Sequence, residues 1–227
     1  MTGLASGSAS APLAVMVACL AGLTVALITR PVLRRLPEPA EPDGKTAYRD
    51  LPTRAFVLAC SAAAALTGAL AAAALPASML PPWLVLATIG VLLAGVDLMT
   101  TWLPRRLTHA AWMLMVLAFG VCLLAGVDAA VAVRAAVGAL TGGGVYGIVW
   151  AISRGGVGFG DVRFAPLIGA AAGGVSLTVL VWSLLLGSLL GAAHGLVRLA
   201  RRRAGPFPYA PAMLAGAYLA LSLAPPG

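Results

Sequence analysis

A chain of 227 residues that is 61% hydrophobic and 10% charged, with a mean hydropathy of +0.99, is not a soluble domain, where roughly a quarter of the residues carry charge. Its net charge of +8 does not mark a nucleic-acid binder, because the basic residues cluster in short connections between apolar runs, where a membrane-topology signal belongs. The runs reach the roughly 18 residues that cross a bilayer as a helix, so the chain reads as all-α, a polytopic membrane helix bundle.

In chain order, hydrophobicity predicts spans over 11–29, 55–75, 82–98, 109–126, 129–152, 164–175, 177–197 and 208–224. The first lacks the basic flank and A-x-A site of a cleaved signal, so it is expected to be a retained span. The sixth is short and glycine-rich ("APLIGAAAGG"). If all eight cross and the N-terminus is outside, the interior loops are 30–54, 99–108, 153–163 and 198–207. These hold all of the fifteen Lys and Arg residues except Arg134. If the sixth segment stayed on one side, the "RLARRR" cluster would lie outside, against the positive-inside rule. Eight crossings in one integral-membrane domain, 1–227, is therefore the expected architecture. Loop 30–54, with its prolines and mixed charges, is expected to be an irregular, solvated cytoplasmic connection. Small residues recur in "GALTGGG" and "LLGSLLGAAHG" and predict close helix packing in the bilayer.

Few residues are left for chemistry. Cys19, Cys60 and Cys122 sit inside apolar runs without any CxxC pair, which excludes a zinc ribbon and leaves them as packing residues. His109 and His194 are isolated, so no metal site is expected. Of the seven acidic residues, Glu38, Glu41, Asp43 and Asp50 fall in the first polar loop and read as solvated. Asp128 starts a span in "GVDAAVAVRAA", where it favours the helix N-terminus and has Arg134 as a candidate partner.

Asp97 and Asp161 remain. Asp97 ends the third span in "AGVDLMTTWLPRRLT", and Asp161 precedes the sixth in "GGVGFGDVRF". An even number of spans separates them, so both fall at the same membrane edge. Acidic groups at a bilayer are costly and are functional candidates. Two carboxylates held close cannot both ionise easily, and such a pair can work as base on a water and acid toward a carbonyl. Gly158 and Gly160 allow unusual backbone conformations before Asp161; equally, they can simply separate two helices.

These segments resemble the prepilin peptidases (type IV leader peptidases) among the GxGD membrane aspartic proteases. "GFGDVRF" is similar to their GxGDxK/R motif. "DLMTTWLPRRLT" resembles their first catalytic segment through Asp97, Thr100, Leu103, Pro104, Leu107 and Thr108. "FPYAPAMLAGA" is similar to their Pro-Phe-Gly-Pro segment. The three lie in family order across about 95–217. The chain departs from the pattern at Arg105 for Asn, Arg163 for Lys and Ala210 for Gly. Loop 30–54 has no cysteine, so the zinc-bearing domain associated with N-methylation is not expected.

The resemblance implies a short-form aspartic endopeptidase of the plasma membrane, needing no cofactor. Its partners would be prepilin-like or pseudopilin precursors, cut at the cytoplasmic face, and the lipid bilayer. Asp97 and Asp161 would be catalytic, and Gly158, Gly160, Pro104 and Arg163 would shape the substrate loop. The alternatives are an ion- or proton-coupled transporter lined by the same aspartates, and a non-catalytic membrane assembly subunit.

Overall fold

The computed structural model describes residues 11–38, 46–153, 158–202, 205 and 207–223, and every regular element among them is helical. Helix α1 is Ala11–Arg35, a 3-10 turn covers Tyr48–Asp50, and α2 is Arg54–Ala74. Next come α3 (Leu80–Val85), a π-helical stretch Leu86–Gly90 and α4 (Val91–Thr100). With the turn before them they make one continuous rod, Ala77–Thr100. Then follow α5 (Arg105–Leu124), α6 (Ala129–Ser153), α7 (Phe159–Val175), α8 (Leu177–Ala200) and α9 (Ala210–Leu223).

Each predicted span corresponds to one helix or to the rod. Among the described residues, six helices are long and apolar enough to cross a membrane. The remaining two are shorter: α7 has 17 residues and α9 has 14. At 1.5 Å per residue α9 is about 21 Å long, below the roughly 30 Å of a hydrocarbon core. The chain is a multi-pass helical bundle.

Three antiparallel hairpins supply most of the packing, and glycines bring their backbones together. In the α1/α2 pair, a Cβ on Gly68 would lie 3.1 Å from that of Ala21. In the α6/α7 pair, Gly138 lies directly on the Gly169 backbone, and a Cβ on Gly142 would come within 2.7 Å of the Ala165 carbonyl oxygen. In the α8/α9 pair, Gly187 meets Gly216. Lipid is as apolar as leucine, so such close backbone contact is what holds membrane helices together. The rod Ala77–Thr100 runs through the centre, with Trp83, Leu86, Leu92 and Leu93 fully buried. Tyr218 of α9 donates its O–H to the Trp83 carbonyl at 2.9 Å, and the two rings meet edge-to-face at 5.2 Å. A buried phenol needs such a partner, and this one pins α9 along the rod.

The first polar loop departs from expectation. Helix α1 runs on through Pro31 to Arg35, and Tyr48 and Leu51 are buried rather than solvated. Glu38 accounts for this. Its carboxylate accepts the N–H groups of Tyr48 at 3.0 Å and Arg49 at 3.2 Å, which holds the 3-10 turn against the end of α1. Asp50 stays exposed beside Arg49, while Glu41, Asp43 and Lys45 lie outside the described residues, as do Arg154 and Arg203. Asp128 accepts the Ala130 N–H at 2.7 Å, as its place at a helix start predicts, but the pairing with Arg134 is not formed among the described residues. Cys60 and Cys122 are buried and Cys19 is exposed, all as free thiols.

Two substitutions in α6 test the glycine packing. Gly138→Ala forces a methyl into the α7 backbone and is expected to lower stability by about 1–3 kcal/mol. Gly144 has nothing within 4 Å of a Cβ, so Gly144→Ala is expected to be neutral or to stabilise by up to about 1 kcal/mol. Thermal unfolding in detergent micelles measures both.

Candidate active site

Asp97 lies in the last turn of α4 and is buried. The chain bends sharply just beyond it. Thr101 closes the helix in the left-handed region at φ 57°, with its N–H on the Asp97 carbonyl at 2.7 Å. A non-glycine residue there is strained and persists only where its surroundings hold it. Thr100 does so: its hydroxyl donates to the Val96 carbonyl at 2.8 Å and accepts the Trp102 N–H at 3.2 Å. Pro104 then caps α5, its carbonyl accepting both the N–H and the hydroxyl of Thr108.

The Asp97 side chain reaches across to α9, where Oδ2 accepts the Ala210 N–H at 3.0 Å. Ala210 is the first residue of that helix and is fully buried. Its N–H is one of the donors a helix leaves unpaired at its start, and a carboxylate there also meets the positive end of the helix dipole. Tyr209 sets the position. Its ring packs directly on Gly191 of α8, and its carbonyl accepts the Ala212 and Met213 N–H groups that begin α9. The "FPYAPAMLAGA" segment therefore places a donor on Asp97.

Asp161 is buried in the first turn of α7, not ahead of it. Gly158 caps this helix with φ −69° and ψ 140°, and its carbonyl accepts the Asp161 N–H at 3.0 Å. That backbone is open to any residue, so what the glycines supply is space. A Cβ on Gly158 would lie 3.3 Å from Asp161 Oδ2, and one on Gly160 would lie 3.0 Å from Leu103 Cβ. Gly160 thus lets the segment before Pro104 close onto the start of α7. The Arg163 guanidinium packs over the Phe159 ring at 5.3 Å, and its carbonyl accepts the Trp112 indole N–H at 2.9 Å, tying α7 to α5.

Asp97 and Asp161 line one cavity of about 610 Å³ and are near enough to act on each other electrostatically. Three stretches wall it: Leu36, Pro37 and Tyr48 from the first connection, 97–106, and 158–163. Asp161 Oδ1 is buried with no hydrogen-bond partner among the described residues. A buried carboxylate oxygen left in that state is costly and calls for an explanation beyond packing. A pair of this kind can hold one proton between two groups, one acting as base and the other as acid. Among the described residues no three His, Cys, Asp or Glu gather as a metal site, and His194 packs against Phe207. Sequence patterns did not mark the wall made by Leu36, Pro37 and Tyr48, since a proline-rich charged loop carries no periodicity.

The fold and the cavity define a multi-pass helical membrane protein with a buried carboxylate pair. The chain is 42% identical over 85 residues to the prepilin leader peptidase/N-methyltransferase of Bacillus subtilis (strain 168). The match covers 37% of this chain and 34% of that protein, so it spans about a third of the relative's length. No family model and no solved structure matches the chain. The partial likeness supports a function related to that of a membrane peptidase.

The two aspartates are expected to differ in what they do for the fold. Asp97→Ala strands the Ala210 N–H and is expected to lower stability by about 1–3 kcal/mol. Asp161→Asn removes a like charge and is expected to leave the unfolding midpoint unchanged or raised. Equal losses in parallel thermal melts would contradict this asymmetry.

Proposed function

We propose that this chain is a membrane-embedded aspartic endopeptidase of the prepilin-peptidase type, acting at the cytoplasmic face of the plasma membrane. Residues 1–227 form one membrane domain, with the catalytic parts within 95–217. Asp97 and Asp161 form the dyad. The observation that carries this reading is the convergence of the two buried carboxylates on one cavity, with Asp161 Oδ1 unpartnered among the described residues. The partial likeness to a prepilin leader peptidase supports it independently.

In the proposed reaction one carboxylate takes a proton from water, and the resulting hydroxide adds to the scissile carbonyl carbon. The other, protonated, carboxyl gives its proton to the carbonyl oxygen, forming a neutral tetrahedral diol. Collapse breaks the C–N bond, returns a proton to the leaving amine and leaves a free acid. The N–H of Ala210 orients Asp97 throughout, Gly158 keeps space beside Asp161, and Gly160 lets Leu103 pack onto the start of α7. Pro104 and Arg163 hold the two aspartate-bearing segments in place through α5. The substrates are prepilin-like or pseudopilin precursors with a short basic leader ahead of an apolar helix. An ion-path reading would put its carboxylates near mid-membrane, whereas both stand in the end turns of their helices.

The test is processing of a co-expressed precursor in membranes by wild type, Asp97→Asn and Asp161→Asn. Each variant is expected to lose roughly 10²–10⁴-fold in cleavage rate while reaching normal protein levels. Undiminished processing by either variant would refute the dyad.

A further inference from the structure

Of the three stretches that wall the aspartate cavity, two contain all of its acids and bases. Asp97, Arg105 and Arg106 come from 97–106, and Asp161 and Arg163 from 158–163. The third stretch is Leu36, Pro37 and Tyr48, and it carries no charge. It is nevertheless anchored by side-chain hydrogen bonds to the backbone. Both oxygens of Glu38 are committed to the backbone N–H groups of the 3-10 turn, a charge-assisted arrangement stronger than neutral pairing. Thr53 continues the anchoring by accepting the Phe56 N–H at 3.2 Å at the start of α2. The result is a Tyr48 that is 5% exposed yet lines the same cavity as both aspartates.

A peptide in that cavity must lie extended for a carboxylate pair to reach its amide, and its carbonyl groups then need donors. Resting on the peptidase reading above, we propose that Tyr48 is a substrate-contacting residue. Its phenol O–H donates to a backbone carbonyl of the extended peptide beside the scissile bond, while its ring, Leu36 and Pro37 contact the adjoining apolar side chain. Glu38 is the positioning residue for this wall and touches no substrate. Burial, with a contribution from Glu38, pushes the Tyr48 phenol up to about 12, so it remains a neutral donor across the working pH range. It takes no part in proton transfer at the dyad.

The experiment is steady-state cleavage by the full-length protein in lipid nanodiscs. The substrate is a synthetic peptide with a basic leader ahead of an apolar segment. Tyr48→Phe keeps the ring and removes only the O–H. Its KM is expected to rise roughly three- to tenfold with kcat within about twofold, the signature of a hydrogen bond that holds ground state and transition state equally. Glu38→Gln leaves one of the two turn N–H groups without an acceptor, so it is expected to raise KM in the same direction and to lower the unfolding midpoint. If wild type cleaves and both variants match it in KM and kcat, the Tyr48 assignment is wrong and the peptidase reading stands. A fall in kcat at constant KM also overturns the assignment, because it would place Tyr48 in the chemistry. If wild type cleaves no such peptide, both readings fail together.

Discussion

The hydrogen bond from the Ala210 N–H to Asp97 Oδ2 organises this molecule. It joins the end of the central rod to the start of the last helix, and it does so with groups that would each be costly to bury alone. Once that bond is made, the α8–α9 connection must lie at the same end of the bundle as Asp97. Helices α7 and α8 therefore run in opposite senses between the two ends, with the short, glycine-rich α7 packed tightly on α6. The Tyr209 ring seated on Gly191 and the Tyr218 bond to the Trp83 carbonyl keep α9 from sliding along the rod.

The second aspartate is treated differently. Asp161 stands in the first turn of its own helix, where a negative charge is favoured by the dipole, yet one of its oxygens has no partner among the described residues. One carboxylate is tied down and the other is left available. Arrangements that cost stability without improving packing are concentrated at functional sites, and the left-handed Thr101 lies a single turn from Asp97. The strain and the unsatisfied oxygen converge on the same cavity.

Much of this was legible in the chain itself. Long apolar runs register in a bilayer because length and hydropathy decide whether a segment can span, so six of the eight segments reappear as helices long and apolar enough to cross and the other two as the shorter α7 and α9. Asp97 and Asp161 were conspicuous because acids are rare among such runs. The meeting of Asp97 with Ala210 was not readable, since it joins residues far apart in sequence. Glycines 158 and 160 were legible as exceptions but not in their reason, which is the closeness of Leu103 and Asp161 rather than backbone freedom. The Tyr48 wall was hidden for a further reason. Its burial depends on Glu38 reaching across a proline-rich loop, and no local pattern distinguishes that glutamate from a solvated one.

The π-helical stretch Leu86–Gly90 has a geometric consequence for the rod. A wide turn absorbs about one residue more than an α-turn, so everything from Val91 to Thr100 is rotated by about 100° from the bearing an unbroken α-helix would give it. The rod behaves as two screws joined out of phase. Its first half can follow the hydrophobic pattern that suits its neighbours around Trp83, and its second half can aim a carboxylate at the start of α9. Neither compass heading constrains the other.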